Sequence, residues 1–204
     1  MLFDDSYKTI ENTSEGIFRD KGSKFIAYAY PIRGEDEVKP IIMNLRSANP
    51  KANHFCYAYR LTPNRSVFRV SDDGEPSGTA GKPILNCLLS EDLTNILIVV
   101  VRYFGGTLLG VPGLINAYKN ASIEAIKASK VISKTVNDVY EAHFEYLQMN
   151  DVMRLSKEEN LQILAQQFDI NCILKFEVRK AQLNQVLSKF DKIDGAKLKY
   201  LYTI

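Results

Sequence analysis

The sequence has no long apolar run. Its longest unbroken one spans residues 96–101, six residues, against the roughly twenty that a membrane-spanning helix needs. Residues 1–16 are polar and acidic and hold no apolar signal core, so a cytoplasmic location and no membrane partner are expected. Cysteine is scarce. Cys56, Cys87 and Cys172 stand far apart with no CxxC pair, which excludes a zinc ribbon, a thioredoxin-type site and a disulfide scaffold. Two histidines, His54 and His143, are too few for most His-rich metal sites. A charge excess is missing too. Twenty-six Lys and Arg against 24 Asp and Glu leave a net charge of +2, far from a dedicated nucleic-acid binder. The balance is +3 over residues 1–137 and −1 over residues 138–204. One stretch does stand apart. From Lys51 to Arg69, the cations Lys51, Arg60, Arg65 and Arg69 occur without a single acid. It reads either as a basic patch or as a solvated edge.

What is present is an ordinary globular pattern, 46% hydrophobic and 25% charged. At 204 residues it suits one or two domains. Residues 24–31 alternate like a strand and 36–46 repeat like a helix. Strands follow at 54–61 and 66–71 around a turn at 62–65. Residues 74–81 are a Gly, Pro and Ser-rich loop, and 82–89 read as a helix with Pro83 in its first turn. Residues 96–104 are β-branched and apolar on both faces, as in a strand covered on both sides. Gly105 and Gly106 break it, and Pro112 opens a helix to about 130. After residue 133 the order is strand 139–147, helix 151–159, strands 162–168 and 172–178, helix 181–190 and strand 197–202. That βαββαβ order is the split βαβ, ferredoxin-like plan. The class is α+β, with a first domain over 1–134 and a second over 138–204.

Two stretches carry candidate chemistry. In residues 71–83, SDDGEPSGTAGKP, three carboxylates precede small residues and Lys82. Walker A spacing needs Gly at 76 and Ser or Thr at 83, and both are Pro. The dinucleotide pattern GxGxxG fails at the same Pro76. Small residues before a helix start still offer backbone N–H groups to an anion, so Ser77, Gly78, Thr79, Gly81 and Lys82 form a candidate phosphate site. The plainer reading is a tight turn capped by Ser77 or Thr79. Asp72, Asp73 and Glu75 lack EF-hand spacing, and no metal is expected. In residues 102–113, Arg102 ends an apolar strand, which is costly unless it is paired or reaches a cleft. Gly105 and Gly106 let backbone approach closely. Either this is a ligand loop, or Arg102 pairs with Asp72 or Asp73 and packs on aromatics. His54 and Cys56 share a strand face, but with no nucleophile elbow and no third group they read as packed residues. Tyr28, Tyr30, Tyr57 and Tyr59 are either stacking platforms for bases or sheet packing.

The stretch NHFCYAYR from Asn53, then SDDGEPSGTAGKPIL from Ser71, then VVVRYFGGTLLGVPGL from Val99, resembles the YigZ/IMPACT family. The resemblance covers about residues 15–130, and the tail is similar to the small domain that bacterial members append, akin to a domain of elongation factor G. It implies a first domain with the fold of the second domain of ribosomal protein S5, a cytosolic protein, and a role on the side of translation. Eukaryotic relatives regulate translation by binding a co-activator of an initiation-factor kinase and carry an additional N-terminal domain not expected here, so that partner is not carried over. No catalytic residues come with the resemblance, so none is assigned, and no cofactor is expected. The reading is a translation-associated regulatory protein that binds nucleic acid or ribosomal components, with a protein partner in the translation machinery as a further expectation. It would present Arg60, Lys82 and Arg102 to phosphates, beside Gly105 and Gly106. The alternative is an enzyme that holds a small phosphorylated metabolite in the Gly-rich loops.

Overall fold

Ile96–Tyr103 (β6) is buried at every position but its last, and that fixes its place at the centre of a sheet. The computed structural model describes residues 5–169 and 171–204. The chain divides into two units, one of residues 7–134 and one that joins residues 135–204 to Asp5 and Ser6.

In the first unit β6 is flanked by Ser23–Pro31 (β3) and His54–Leu61 (β4). Ser14–Asp20 (β2) lies outside β3 and Val67–Ser71 (β5) outside β4. The order is β2-β3-β6-β4-β5, and every pair is antiparallel. Alternation sends the side chains of β6 to two cores. Ile96, Ile98 and Val100 pack with Ile84, Leu88, Ala117 and Tyr118, from Gly81–Ser90 (α2) and Gly110–Ala128 (α3). Leu97, Val99 and Val101 pack with Val38 and Leu45 of Val38–Ala48 (α1). Helices therefore cover both faces, which explains a central strand with no polar side. Ser6–Ile10 (β1) and Val131–Thr135 (β7) form a separate two-stranded ribbon.

The second unit runs Asn137–Glu145 (β8), Met149–Glu158 (α4), Gln162–Phe168 (β9), Asn171–Arg179 (β10), Leu183–Phe190 (α5) and Lys197–Thr203 (β11). Its sheet order is β11-β8-β10-β9, again antiparallel. Val152 and Leu155 from α4, with Val186 and Phe190 from α5, pack on Ala142, Phe144, Leu174 and Phe176. The Phe176 and Phe190 rings stack with centroids 5.1 Å apart. The class is thus mixed α and β, in a βαββαβ arrangement in this unit. Asp5 belongs here because its carboxylate takes two bonds from Arg179, at 2.7 and 2.8 Å, and one from the Ala181 N–H. The first unit does not take in Asp5 and Ser6, as an uninterrupted 1–134 domain would have it.

Candidate functional site

Strand register builds the site. Phe25 of β3 and His54 of β4 lie directly opposite Arg102 of β6 on its two sides. These three residues form one row on the face covered by α2 and α3. Arg102 therefore enters an apolar layer, and a charge there needs a partner. The partner is Glu75, whose Oε1 accepts from Arg102 Nη1 at 2.5 Å. The same oxygen accepts from the Tyr118 hydroxyl at 2.7 Å. Tyr118 Oη in turn accepts the Cys56 thiol at 3.3 Å. The two charged side chains are 6% and 4% exposed. The Phe25 ring sits 5.4 Å and the Phe104 ring 5.6 Å from the guanidinium carbon. His54 completes the row, with Nε2 3.9 Å from Glu75 Oε1. Its Nδ1 lies 2.8 Å from the Asp73 carbonyl oxygen, which only accepts, so the ring proton is on Nδ1.

Arg102 does not pair with Asp72 or Asp73, as the sequence suggested, because both carboxylates are engaged elsewhere. Asp72 folds back over the turn and accepts the N–H groups of Gly78, Ala80 and Gly81 at 2.8, 3.0 and 2.8 Å. Burial opposes its ionisation, but these three bonds outweigh burial and hold the carboxyl below the usual range. The backbone N–H groups expected to receive an anion at residues 78–81 are taken up within the fold, three by the Asp72 carboxylate and that of Thr79 by the Pro76 carbonyl. Asp73 takes two bonds from Arg46 Nη2, at 2.7 and 2.8 Å, and the Phe55 N–H at 2.6 Å. Asp73 is at φ +41° and Gly74 at +86°, and this sharp reversal sends neighbouring carboxylates to separate partners.

The other expected residues fall in different places. Arg60 bonds Asp92 and the Leu93 carbonyl, both at 3.2 Å, and Arg65 grips the same Asp92. Arg60 lies six residues along β4 from His54, about 20 Å away, so it does not join Arg102. Ser77 is exposed, while the Thr79 hydroxyl is spent on the Pro76 carbonyl. Lys82 is exposed in the first turn of α2. The Gly105 N–H donates to Ser23 Oγ at 3.1 Å. A Cβ at Gly105 would lie 1.9 Å from the Gly22 carbonyl carbon, so only glycine lets these two loops touch. Gly106 has φ +85° and opens to free space. Burial pushes the Cys56 thiol and the Tyr118 phenol well up, and Cys56 is no nucleophile in this setting. Among the described residues no cluster of three His, Cys, Asp or Glu has metal-ligand geometry. Among them no helix is long and apolar enough to cross a membrane.

Register also reveals a cation group that the linear sequence hides. Arg19 of β2 lies directly opposite Lys24 of β3, with Lys21 in the turn between them. Like charges opposed on neighbouring strands are unfavourable. Lys51 precedes β4, and Lys82 begins α2 at the same end of the sheet. Among the described residues none of these five cations is in an ion pair. The acids at this end, Asp72, Asp73 and Glu75, are all consumed internally, which leaves Asp20. Tyr28 and Tyr30 follow Lys24 on the same face of β3 and are partly exposed. Burial raises both phenols, so they stay neutral.

The motif-bearing core of the first unit matches a known family. The family model described as the Impact N-terminal domain matches residues 21–126. An IMPACT family member of Haemophilus influenzae is 33% identical over 180 residues, 87% of each chain. This chain belongs to the IMPACT family. The family member YigZ of Escherichia coli is 31% identical over 183 residues, 89% of this chain and 90% of that one. A solved structure described as a hypothetical protein superposes with a TM-score of 0.73 at 27% identity, covering 97% of this chain and 98% of its own. The likeness thus runs through both units of this IMPACT family chain.

Proposed function

We propose that the protein is a translation-side regulator that binds RNA, free or within ribosomal particles, through the β2–β3 end of its five-stranded sheet. The observation that carries this reading is the opposed pair Arg19 and Lys24. No ion pair among the described residues relieves their mutual repulsion, and a phosphate anion between them does. Lys21, Lys51 and Lys82 extend the positive rim, because the neighbouring carboxylates are already bonded within the fold. Tyr28 and Tyr30 lie farther along the same face of β3, about 13 Å or more from Lys24, and pack on the α1 core, so the site rests on the cations and not on base stacking. Membership of the IMPACT family supplies the translation side of the reading. Arg60 takes no part, because Asp92 holds it. Cosedimentation with ribosomal particles tests the proposal. The protein is expected in the pellet at low salt and in the supernatant at high salt, and R19A/K24A is expected to stay in the supernatant throughout. Wild type that fails to pellet at low salt overturns it.

A further inference from the structure

The Arg102 guanidinium is only half used. Glu75 engages Nη1. Nε is buried and has no hydrogen-bond partner among the described residues, and none engages Nη2. Nε and Nη2 together are the edge that binds an oxyanion through two parallel bonds. A buried charged donor left unbonded is costly, and native structures rarely keep one without a reason.

We propose that this edge of Arg102 is a subsite for a phosphate group, with the Phe104 side chain lying against the guanidinium as its cover. Phe104 is 46% exposed although its ring lies against the guanidinium, so it can swing outward at little cost in buried area. Gly106, two residues on at φ +85° with open space around it, gives the loop its turn. Phe25, fully buried, forms a fixed wall against the guanidinium. Phosphate suits the site better than a monoanion such as acetate. Although Glu75 neutralises Arg102 itself, Lys21, Lys51 and Lys82 at this end of the sheet are in no ion pair among the described residues and favour the more highly charged ligand. The subsite stands apart from RNA binding, since it needs one phosphate group and neither Arg19 nor Lys24.

The test is to follow arginine Nε–H signals of the full chain by NMR during titration with inorganic phosphate, with acetate at matched ionic strength as the comparison. The Arg102 signal is expected to move saturably with phosphate, while those of Arg60 and Arg65, held by Asp92, stay still. Phe104→Ala should tighten phosphate binding by about threefold to tenfold, because no cover has to be displaced. Arg102→Lys keeps the charge but lacks the fork, and should abolish the phosphate response of the Gly105 amide. An Arg102 signal that phosphate does not move, or that acetate moves equally, overturns the proposal even if Arg102→Lys fails to fold. RNA binding that fails while the Arg102 signal still responds to phosphate removes the RNA reading and leaves this site. RNA binding without that response removes this site alone.

Discussion

Asp72→Ala is the sharpest probe of how the Gly-rich loop is held. The substitution deletes one carboxylate and leaves three backbone N–H groups, those of Gly78, Ala80 and Gly81, without an acceptor. A hydrogen bond to a charged group contributes about 1.5–3 kcal/mol when well buried. Asp72 is partly exposed, so about 1 kcal/mol per bond is the better figure. The loss is then about 3 kcal/mol, above the usual 0.5–2 kcal/mol for a helix cap because one side chain serves three donors. For a chain of this size that lowers the melting temperature by about 10 °C. Asp72→Asn keeps one neutral acceptor and should lose about half as much. The pH dependence follows from the depressed carboxyl. The stabilisation is complete above the unfolded value of about 3.9 and disappears as pH falls through the lower folded value. Melting curves of wild type and D72A should therefore differ by a constant gap at neutral pH, and the gap should narrow as pH falls below about 4 and vanish only below the lowered folded value. A variant that melts within about 2 °C of wild type at pH 7 would refute the account of the nest.

Other outcomes follow from the same geometry. Glu75→Ala leaves Arg102 charged, buried and unpaired, and should cost about 3–5 kcal/mol; Glu75→Gln keeps an acceptor and should cost clearly less, as chemical denaturation will show. Gly105→Ala cannot keep the loop in place against Gly22 and should cost more than about 2 kcal/mol, with amide shifts at residues 20–24. Asp5→Ala removes both bonds to Arg179 and should lower hydrogen-exchange protection in β10 by about 2 kcal/mol. Arg179 lowers the Asp5 carboxyl, so in wild type this stabilisation is present above the ordinary carboxylate range and is lost as pH falls through the folded value.

Much of the fold is legible in the sequence where burial imposes a simple pattern: the unbroken apolar run at 96–104 marks a strand covered on both faces, and the i, i+3, i+4, i+7 repeat at 183–190 marks a helix with one buried face. β2 carries a weak strand signal for a physical reason. Gly16 stands in its middle, where a side chain would strike the backbone of α3 at Ala125, 2.1 Å away. Close packing demanded the one residue that weakens a strand signal. β1 and β7 are five residues each and pair with one another across most of the first unit, a match that no local window contains. At the site, the small residues before α2 announced a nest, but its occupant depends on a reversal at Asp73 and Gly74 that composition alone does not specify. Arg60 looked free because Asp92 lies 32 positions away in sequence. Glu75 and Tyr118 meet over 43 positions, and Arg19 faces Lys24 only once the hairpin register is known.

The central claim is that the opposed cations of the β2–β3 hairpin, and not the basic stretch around Arg60, meet RNA. It is tested most directly by the affinity for a short single-stranded RNA across a salt series, measured for wild type, R19A/K24A and R60A. With three to four phosphates contacted, log affinity should fall against log salt with a slope of about −2 to −3. R19A/K24A should flatten the slope by about 1 to 2 and weaken binding whatever the RNA sequence, while R60A should match wild type. A wild-type slope near zero, or a loss confined to R60A, would contradict the account.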